Sequence, residues 1–217
     1  MIAASGLRWL LSAMFALPTL YSLWLMVAPV TSLNERVSHV LHSAMGVAMI
    51  AMVWPWGMDL SSGPQVVLFT AGALWFAGAA LIRVAPGARA GALVVALPHV
   101  VMMGAMAWMV RAMGSSHQSA GHAGGVHDMA GMHMSGGSAT VTMSLVGGGP
   151  RLTAGVLAVV LLAIAMRWLA GAFDRGRVVA SAGSGAGDGI GNGNGALDLA
   201  CHAAMALGMA VMFVLLV

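Results

Sequence analysis

The sequence predicts an all-α membrane protein with six transmembrane helices, and three observations lead to this fold class. Hydrophobic residues make up 60% of the 217 residues, charged residues only 7%, and the mean hydropathy is +0.92. Six apolar runs of about twenty residues follow one another, and each is long enough to cross a hydrocarbon core of about 30 Å as a helix. One His/Met pattern also occurs three times, in alternate runs. This composition excludes an ordinary soluble domain.

The first three spans are predicted from their apolar length and from the residues that end each run. Span 1 is too long for a signal peptide and is not followed by a clear small-residue cleavage site. Span 2 ends at Trp54-Pro55-Trp56, which combines aromatic anchors for a membrane interface with a proline stop. Span 3 ends just before Pro86-Gly87, a turn signal.

The last three spans differ in the polar residues that they carry. Span 4 contains Pro98 directly before His99, span 5 has no histidine, and span 6 carries Cys201, the single cysteine of the chain. We predict one transmembrane domain over residues 1–217. Its six spans are placed at about 7–28, 36–54, 65–83, 91–113, 151–170 and 196–217.

Two long segments between the spans differ in composition. Residues 114–150 are predicted to form a His/Met-rich loop outside the cytoplasm, and residues 171–195 a Gly-rich flexible linker on the cytoplasmic side. The orientation follows from the positive-inside rule, because the loops after spans 1, 3 and 5 hold most of the arginines. These are Arg36, Arg83, Arg89, Arg167, Arg175 and Arg177. We therefore expect a multi-pass protein of a bacterial cytoplasmic membrane with both termini outside.

The repeated pattern reads His-x-x-Met-x-x-x-Met-x-x-Met. Its copies begin at His42, His99 and His202 and end at Met52, Met109 and Met212. On an α-helix these offsets place all four side chains on one face, and small residues between them allow close helix approach. Because alternate spans run in the same direction, the three histidines are expected at one depth. The sequence thus predicts three two-helix repeats with a pseudo-threefold arrangement of the even-numbered helices.

The residue types of the pattern indicate a soft monovalent metal. Thioether sulfur is a neutral ligand suited to Cu(I) or Ag(I), and imidazole and thiolate are stronger ligands for such ions. The candidate ligands on the spans are His42, Met45, Met49, Met52, His99, Met102, Met106, Met109, Cys201, His202, Met205, Met209 and Met212. Those in the loop are His117, His122, His127, Met132, His133 and Met134. In the plainer alternative, methionine only fills apolar helix interfaces.

Two further kinds of polar residue lie near the pattern. His39 is equally compatible with an outer metal ligand and with a side chain at the membrane interface. The aspartates Asp59, Asp128 and Asp198 are expected in loops or at helix ends rather than as ligands.

The Met-x-x-x-Met signature resembles that of the eukaryotic high-affinity copper transporter (Ctr) family. Met45/Met49, Met102/Met106 and Met205/Met209 match the signature, residues 114–150 resemble that family's Met/His-rich extracellular segment, and Cys201-His202 resembles its short cytoplasmic His/Cys motif. The resemblance implies stacked methionine triads that conduct copper. In that family three chains supply the triads, whereas here one chain holds three copies. In overall organisation the chain also resembles an uncharacterised actinobacterial membrane-protein family of unknown function.

The function expected from these patterns is Cu(I) binding and transport through the ladder of His and Met side chains. The alternatives are a haem protein that uses the level histidines and a structural or assembly subunit of a membrane complex. No enzyme is predicted, because Walker, zincin and nucleophile-elbow motifs are missing from the sequence. Scattered arginines do not form a nucleic-acid surface. The expected partners are the lipid bilayer, the metal ion, and a copper chaperone or an oxidase, with the oligomeric state left open.

Overall fold

The computed structural model describes residues 5–27, 33–54, 56–57, 60–82, 88–123, 148–181 and 189–217. Within these ranges the description does not include the side chains of residues 33–34, 115–123, 179, 181 and 189–194. Six helices account for most of the described chain. They are α1 (Ser5–Val27), α2 (Leu33–Val53), α3 (Ser62–Ile82), α4 (Arg89–Ala123), α5 (Gly148–Ser181) and α6 (Gly189–Val214).

All six helices are long and apolar enough to cross a membrane, which confirms the six predicted spans. Large apolar side chains lie exposed on the outside of the bundle. Their exposure would be unfavourable in water but not in lipid. Examples are Leu17, Trp24, Leu74, Ile82 and Val159.

Helices that are consecutive in the chain form the closest pairs. α1 packs on α2, α3 on α4 and α5 on α6, and further contacts join α1 to α6, α4 to α5 and α2 to α3. The even-numbered helices lie deeper in the bundle. In the most apolar stretch of each helix, 44%, 39% and 44% of the residues of α2, α4 and α6 are buried, against 33%, 17% and 22% for α1, α3 and α5. The helices that carry the His/Met pattern therefore form the inner part of the bundle.

Glycines of the pattern bring α1 close to two of the inner helices. A methyl group on Gly46 would collide with the side chain of Thr19, and one on Gly208 would collide with the ring of Phe15. Gly104, a small residue of the pattern on α4, has open space around it. The glycines of α2 and α6 therefore allow close approach of α1, and the predicted close approach of the three patterned helices to one another stays a prediction.

Several helices are longer than the spans predicted for them. α4 continues to Ala123 where a loop was predicted from residue 114, and the helical ends of α5 and α6 replace most of the linker predicted over 171–195. Arg175 of α5 donates from Nη1 to the carbonyl oxygen of Gly195 at 3.3 Å, which holds the end of α5 against the start of α6. The end of α5 contains only two glycines, Gly171 and Gly176, and an isolated glycine costs a helix about 1 kcal/mol.

Candidate metal centre

One histidine from each inner helix contributes to a single cluster. His42 of α2, His99 of α4 and His202 of α6 each present a ring nitrogen, and these three atoms lie within 4.8 Å of one another. The ring centroids are 5.3 Å apart for His42–His99, 4.6 Å for His42–His202 and 5.1 Å for His99–His202. The structure therefore brings together the three predicted histidines, which lie 57 to 160 positions apart in the chain.

Hydrogen bonds to the preceding helical turn orient the three imidazoles. Nδ1 of His42 donates to the carbonyl oxygen of Ser38, and Nδ1 of His202 donates to that of Asp198, each at 2.7 Å. His99 makes a backbone hydrogen bond to Val95, also four residues earlier. Because Nδ1 of His42 and of His202 carries the proton in this arrangement, the lone pair of each of these two neutral rings resides on Nε2. Their two Nε2 atoms are thus available as metal ligands.

The most deeply buried of these nitrogens has no partner among the described residues. His42 is only 2% exposed, and its Nε2 makes no hydrogen bond there. A buried polar atom without a partner costs about 1–3 kcal/mol. An ionisable residue within a membrane span is a candidate functional residue, and an acceptor nitrogen near two others could be matched by a cation.

Two aromatic rings from the outer helices enclose the histidine cluster. Phe76 of α3 contacts His42 and His99, with ring centroids 5.9 and 5.1 Å away. Trp168 of α5 contacts His99 and His202, at 5.3 and 5.2 Å. These rings lower the local polarity and exclude water, which strengthens electrostatic interactions at the centre.

The dimensions of the cluster fit a single three-coordinate ion. Nitrogens at most 4.8 Å apart lie within about 2.8 Å of a common centre, and metal–imidazole bonds are about 2.0–2.1 Å long. An inward shift of less than about 1 Å per ring would complete the coordination. Rotation about the side-chain bonds supplies a shift of this size without moving a helix.

The methionines of the pattern extend from the histidines into the core. Those of the first two positions, together with Met109, are at most 1% exposed and belong to one buried apolar cluster: Met45, Met49, Met102, Met106, Met205 and Met209. Met212 is 8% exposed, and Met52 is partly buried against the same cluster. The sulfur-bearing side chains therefore fill the interior of the bundle on the far side of the three histidines.

Three polar side chains lie beside the cluster. Cys201 is half-buried next to His202 in the sequence, and His39 is half-buried one turn before His42. Asp198 was expected at a helix end, but it lies inside α6 with its carboxylate 3.6 Å from Nδ1 of His202. His39, Cys201 and Asp198 interact electrostatically with one another or with His202. The expectation for Asp198 was therefore wrong, because α6 begins earlier than predicted.

The predicted loop ligands remain untested by the structure. His117 and His122 lie on the end of α4, but the description does not include their side chains. The remaining four, His127, Met132, His133 and Met134, lie outside the described residues.

Phe76 and Trp168 were not predicted as part of the site. Both belong to the outer helices, where the His/Met pattern does not occur, and each is an ordinary aromatic residue of an apolar span. Each lies on the helix that precedes a helix with the His/Met pattern, at the level of that pattern's histidine in the bundle. This level can be recognised only once it is known which consecutive helices pack together.

Six apolar helices around a cluster of three histidines indicate a multi-pass membrane protein with a candidate metal centre between its inner helices. The chain belongs to a family described as a domain of unknown function (DUF5134), whose family model matches residues 34–216. This range includes all three copies of the His/Met pattern.

The chain is also similar to mycobacterial proteins. Uncharacterized protein Mb0995 of Mycobacterium bovis is 36% identical over 107 residues, which are 49% of this chain and 50% of the relative. Uncharacterized protein Rv0970 of Mycobacterium tuberculosis shows the same identity and coverage. The chain thus spans about half the length of the curated relatives it matches, and no solved structure matches it. These findings agree with the expected resemblance to an actinobacterial family without an assigned function.

Proposed function

We propose that the protein binds Cu(I) within the membrane and passes it along a ladder of methionine sulfurs that ends at the three histidines. The observation that carries this proposal is the convergence of His42, His99 and His202 at one end of the buried methionine cluster. An imidazole cluster alone would also suit Zn(II) or other divalent ions. The adjoining thioethers favour Cu(I) or Ag(I), for which they are matched ligands.

The charge of the site supports the same choice of ion. The three imidazoles and the methionines are neutral ligands, and the Asp198 carboxylate faces Nδ1 of His202 rather than the centre. A neutral, buried ligand set solvates a monocation at far lower cost than a dication, because the desolvation energy of an ion rises with the square of its charge. We therefore favour Cu(I), with Ag(I) as its chemical analogue.

The proposal of transport follows from the regular spacing of the candidate ligands along the inner helices. Successive methionines along each inner helix are separated by about 4.5–6 Å of helical rise, so an ion can move between weak sites without crossing a long unliganded gap. In this interpretation the inner helices are related by a pseudo-threefold axis, and the methionine triads resemble those of the Ctr family. By the positive-inside rule the arginine distribution favours a cytoplasmic histidine end, and we propose inward movement toward a copper chaperone or an oxidase.

A haem protein is the weaker of two other candidates. Haem ligation requires two axial side chains on opposite faces of a flat macrocycle. Each of the three imidazoles instead lies edge-to-face against the other two, with centroids 4.6–5.3 Å apart. These separations leave no slot for a porphyrin between any pair. The other candidate, a purely structural role, does not account for the unpartnered Nε2 of His42.

Copper entry into proteoliposomes tests the proposal. Vesicles that contain the purified protein and an internal Cu(I) chelator are supplied with Cu(I) and a reductant outside. The variant with Met49, Met106 and Met209 all changed to Leu keeps the apolar volume but loses one sulfur per helix. We expect its copper entry to be at least about tenfold slower, which corresponds to 1.4 kcal/mol of barrier.

Met103→Leu is the matched control for this variant. Met103 is fully buried in the same core but lies outside the repeated pattern, where its sulfur neighbours Gly72. Its copper entry should equal that of the unchanged protein. Unaltered copper entry in the triple variant, or an equal loss in Met103→Leu, would show that methionine serves only to pack the helices.

A further inference from the structure

An open groove runs along the outside of α5, far from the histidine cluster. One side of the helix between Gly148 and Val160 lines it, together with Val217 just beyond the end of α6, and its volume is about 640 Å³. Trp168, the residue of α5 that contacts the histidines, follows later in the same helix. The α5 groove therefore lies in the half of the bundle on the far side of the cluster.

The lining of the α5 groove is apolar apart from one residue. Leu152, Val156 and Val159 line it, and each of these side chains is more than half exposed. Gly148 and Gly155 have open space where a side chain would stand, and this space deepens the groove between its apolar walls. Lipid or another apolar surface covers such a lining favourably, whereas water does not.

The length of the groove matches one leaflet of a bilayer. Gly148 and Val160 are twelve positions apart on α5, which is about 18 Å at about 1.5 Å per residue. One leaflet takes up half of a hydrocarbon core of about 30 Å, or about 15 Å. An acyl chain that crosses a single leaflet therefore extends along the whole groove.

The polar exception in the lining is Arg151, at the end of the groove where α5 begins. Its side chain is exposed. It stands seventeen residues before Trp168, and so about 25 Å of helix from the level of the histidines. A guanidinium matches phosphate oxygens with two parallel hydrogen bonds. The groove thus combines an apolar trough of one-leaflet length with a cation at the level where lipid headgroups lie.

We propose that the α5 groove is a phospholipid site, in which the lipid phosphate pairs with Arg151 and one acyl chain lies along Leu152, Gly155 and Val159. Arg151 supplies most of the selectivity, because apolar side chains contact an acyl chain in the groove about as well as lipid tails do elsewhere. The site is independent of copper, since its lining residues lie outside the His/Met pattern.

The charge of Arg151 favours a lipid over a second copy of the chain as the occupant. Two copies that met at this groove in one membrane would be related by an axis along the membrane normal. Their Arg151 side chains would then lie at the same depth, close to the contact, and like charges repel each other more strongly next to an apolar medium than in water. A phosphate neutralises the same charge.

Lipid binding to the purified protein tests the site. The full chain in mild detergent is stripped of lipid and titrated with phosphatidylglycerol, and native mass spectrometry counts the bound lipid. Arg151→Gln removes the charge and keeps a polar side chain. We expect its affinity for phosphatidylglycerol to be at least about tenfold lower, which corresponds to 1.4 kcal/mol. Val156→Trp keeps Arg151 but fills the groove with an indole, and we expect a similar loss.

Two controls separate the groove from general effects of charge and of apolar contact. Arg111 is also exposed and lies twelve residues after His99 on α4, at the same end of the bundle as Arg151. Arg111→Gln should bind phosphatidylglycerol as the unchanged protein does. A diacylglycerol with the same acyl chains lacks the phosphate, so it should bind at least about tenfold more weakly than phosphatidylglycerol and equally to the unchanged protein and to Arg151→Gln.

Three results would overturn the site. The first is an equal affinity for phosphatidylglycerol in the unchanged protein, Arg151→Gln and Val156→Trp. The second is an equal loss in Arg111→Gln, which would show a general effect of surface charge. The third is a dimer of the unchanged protein that Val156→Trp dissociates, which would assign the groove to a second copy of the chain.

Discussion

At the scale of single residues, His42 is a buried side chain whose two ring nitrogens have different surroundings. Its Nδ1 bonds to the carbonyl oxygen of Ser38, but its Nε2 is buried without a partner among the described residues. Burial of this nitrogen without a partner costs about 1–3 kcal/mol, which a cation or a proton donor at the centre would offset. On the proposed function, the same imidazole would destabilise the empty protein and stabilise the copper-loaded one.

Replacement of His42 by Leu should separate these two effects. The substitution removes the unpartnered nitrogen and keeps an apolar side chain of similar size, so we expect the apo-protein to unfold no more easily than the unchanged protein, with a gain of up to about 1–3 kcal/mol. Copper should no longer raise the unfolding temperature. Thermal unfolding in detergent, with and without Cu(I), measures both, and a large loss of apo-stability would contradict the account of this nitrogen.

At the scale of the helices, glycines of α2 and α6 allow both helices to pack closely against α1. Gly46 faces Thr19, whose hydroxyl donates to the carbonyl oxygen of Phe15 at 2.6 Å, and Gly208 faces the ring of Phe15 itself. Both glycines lie inside the His/Met pattern, next to the methionines of the core. A larger side chain at either position would push an inner helix outward and separate its ligands from the others.

The three pattern glycines should therefore respond differently to alanine. Gly46→Ala and Gly208→Ala introduce a methyl group into occupied space, and such overpacking costs about 1–3 kcal/mol. Gly104→Ala introduces the same group into open space and should be neutral or slightly stabilising. Unfolding temperatures and bound copper of the three variants are the measurements. Equal effects at all three positions would contradict the packing described for α1.

Much of the arrangement of the helices could be predicted from the sequence, for physical reasons. The repeat period predicted which face of α2, α4 and α6 is buried, and the alternation of helix direction predicted that His42, His99 and His202 meet. Hydropathy predicted the apolar spans of α4, α5 and α6 but not the full lengths of these helices, because a helix can continue beyond its apolar run. Phe76 and Trp168 were missed because their role depends on which helices pair, and this information is absent from a single apolar span.

At the scale of the whole molecule, the candidate centre lies where the inner helices of three helical pairs meet. The close packing lies within α1–α2, α3–α4 and α5–α6, and the histidines join the inner member of each pair. An ion held by all three would cross-link the pairs. Binding to the folded state alone stabilises it by mass action, by about 4 kcal/mol at a free ligand concentration of a thousand times Kd.

We therefore expect the unfolding temperature to rise with Cu(I) or Ag(I) and to respond much less to Zn(II) at equal free concentration. The selectivity follows from the adjoining thioethers, which suit soft monocations, and from the neutral, buried surroundings, which disfavour a dication. Thermal unfolding across a titration of each ion checks this, with the concentrations buffered by chelators. A stronger response to Zn(II) would point to a divalent site and would contradict the choice of ion.

The central claim is that three imidazoles from α2, α4 and α6 hold one Cu(I), and X-ray absorption of the protein with one equivalent of Cu(I) tests it most directly. The account predicts nitrogen ligands at about 2 Å, as in zinc–imidazole bonds, with the outer-shell scattering of imidazole rings. It also predicts the loss of this signal when His42, His99 and His202 are all changed to Leu. A spectrum with sulfur ligands alone, or one that the triple variant leaves unchanged, would contradict the claim.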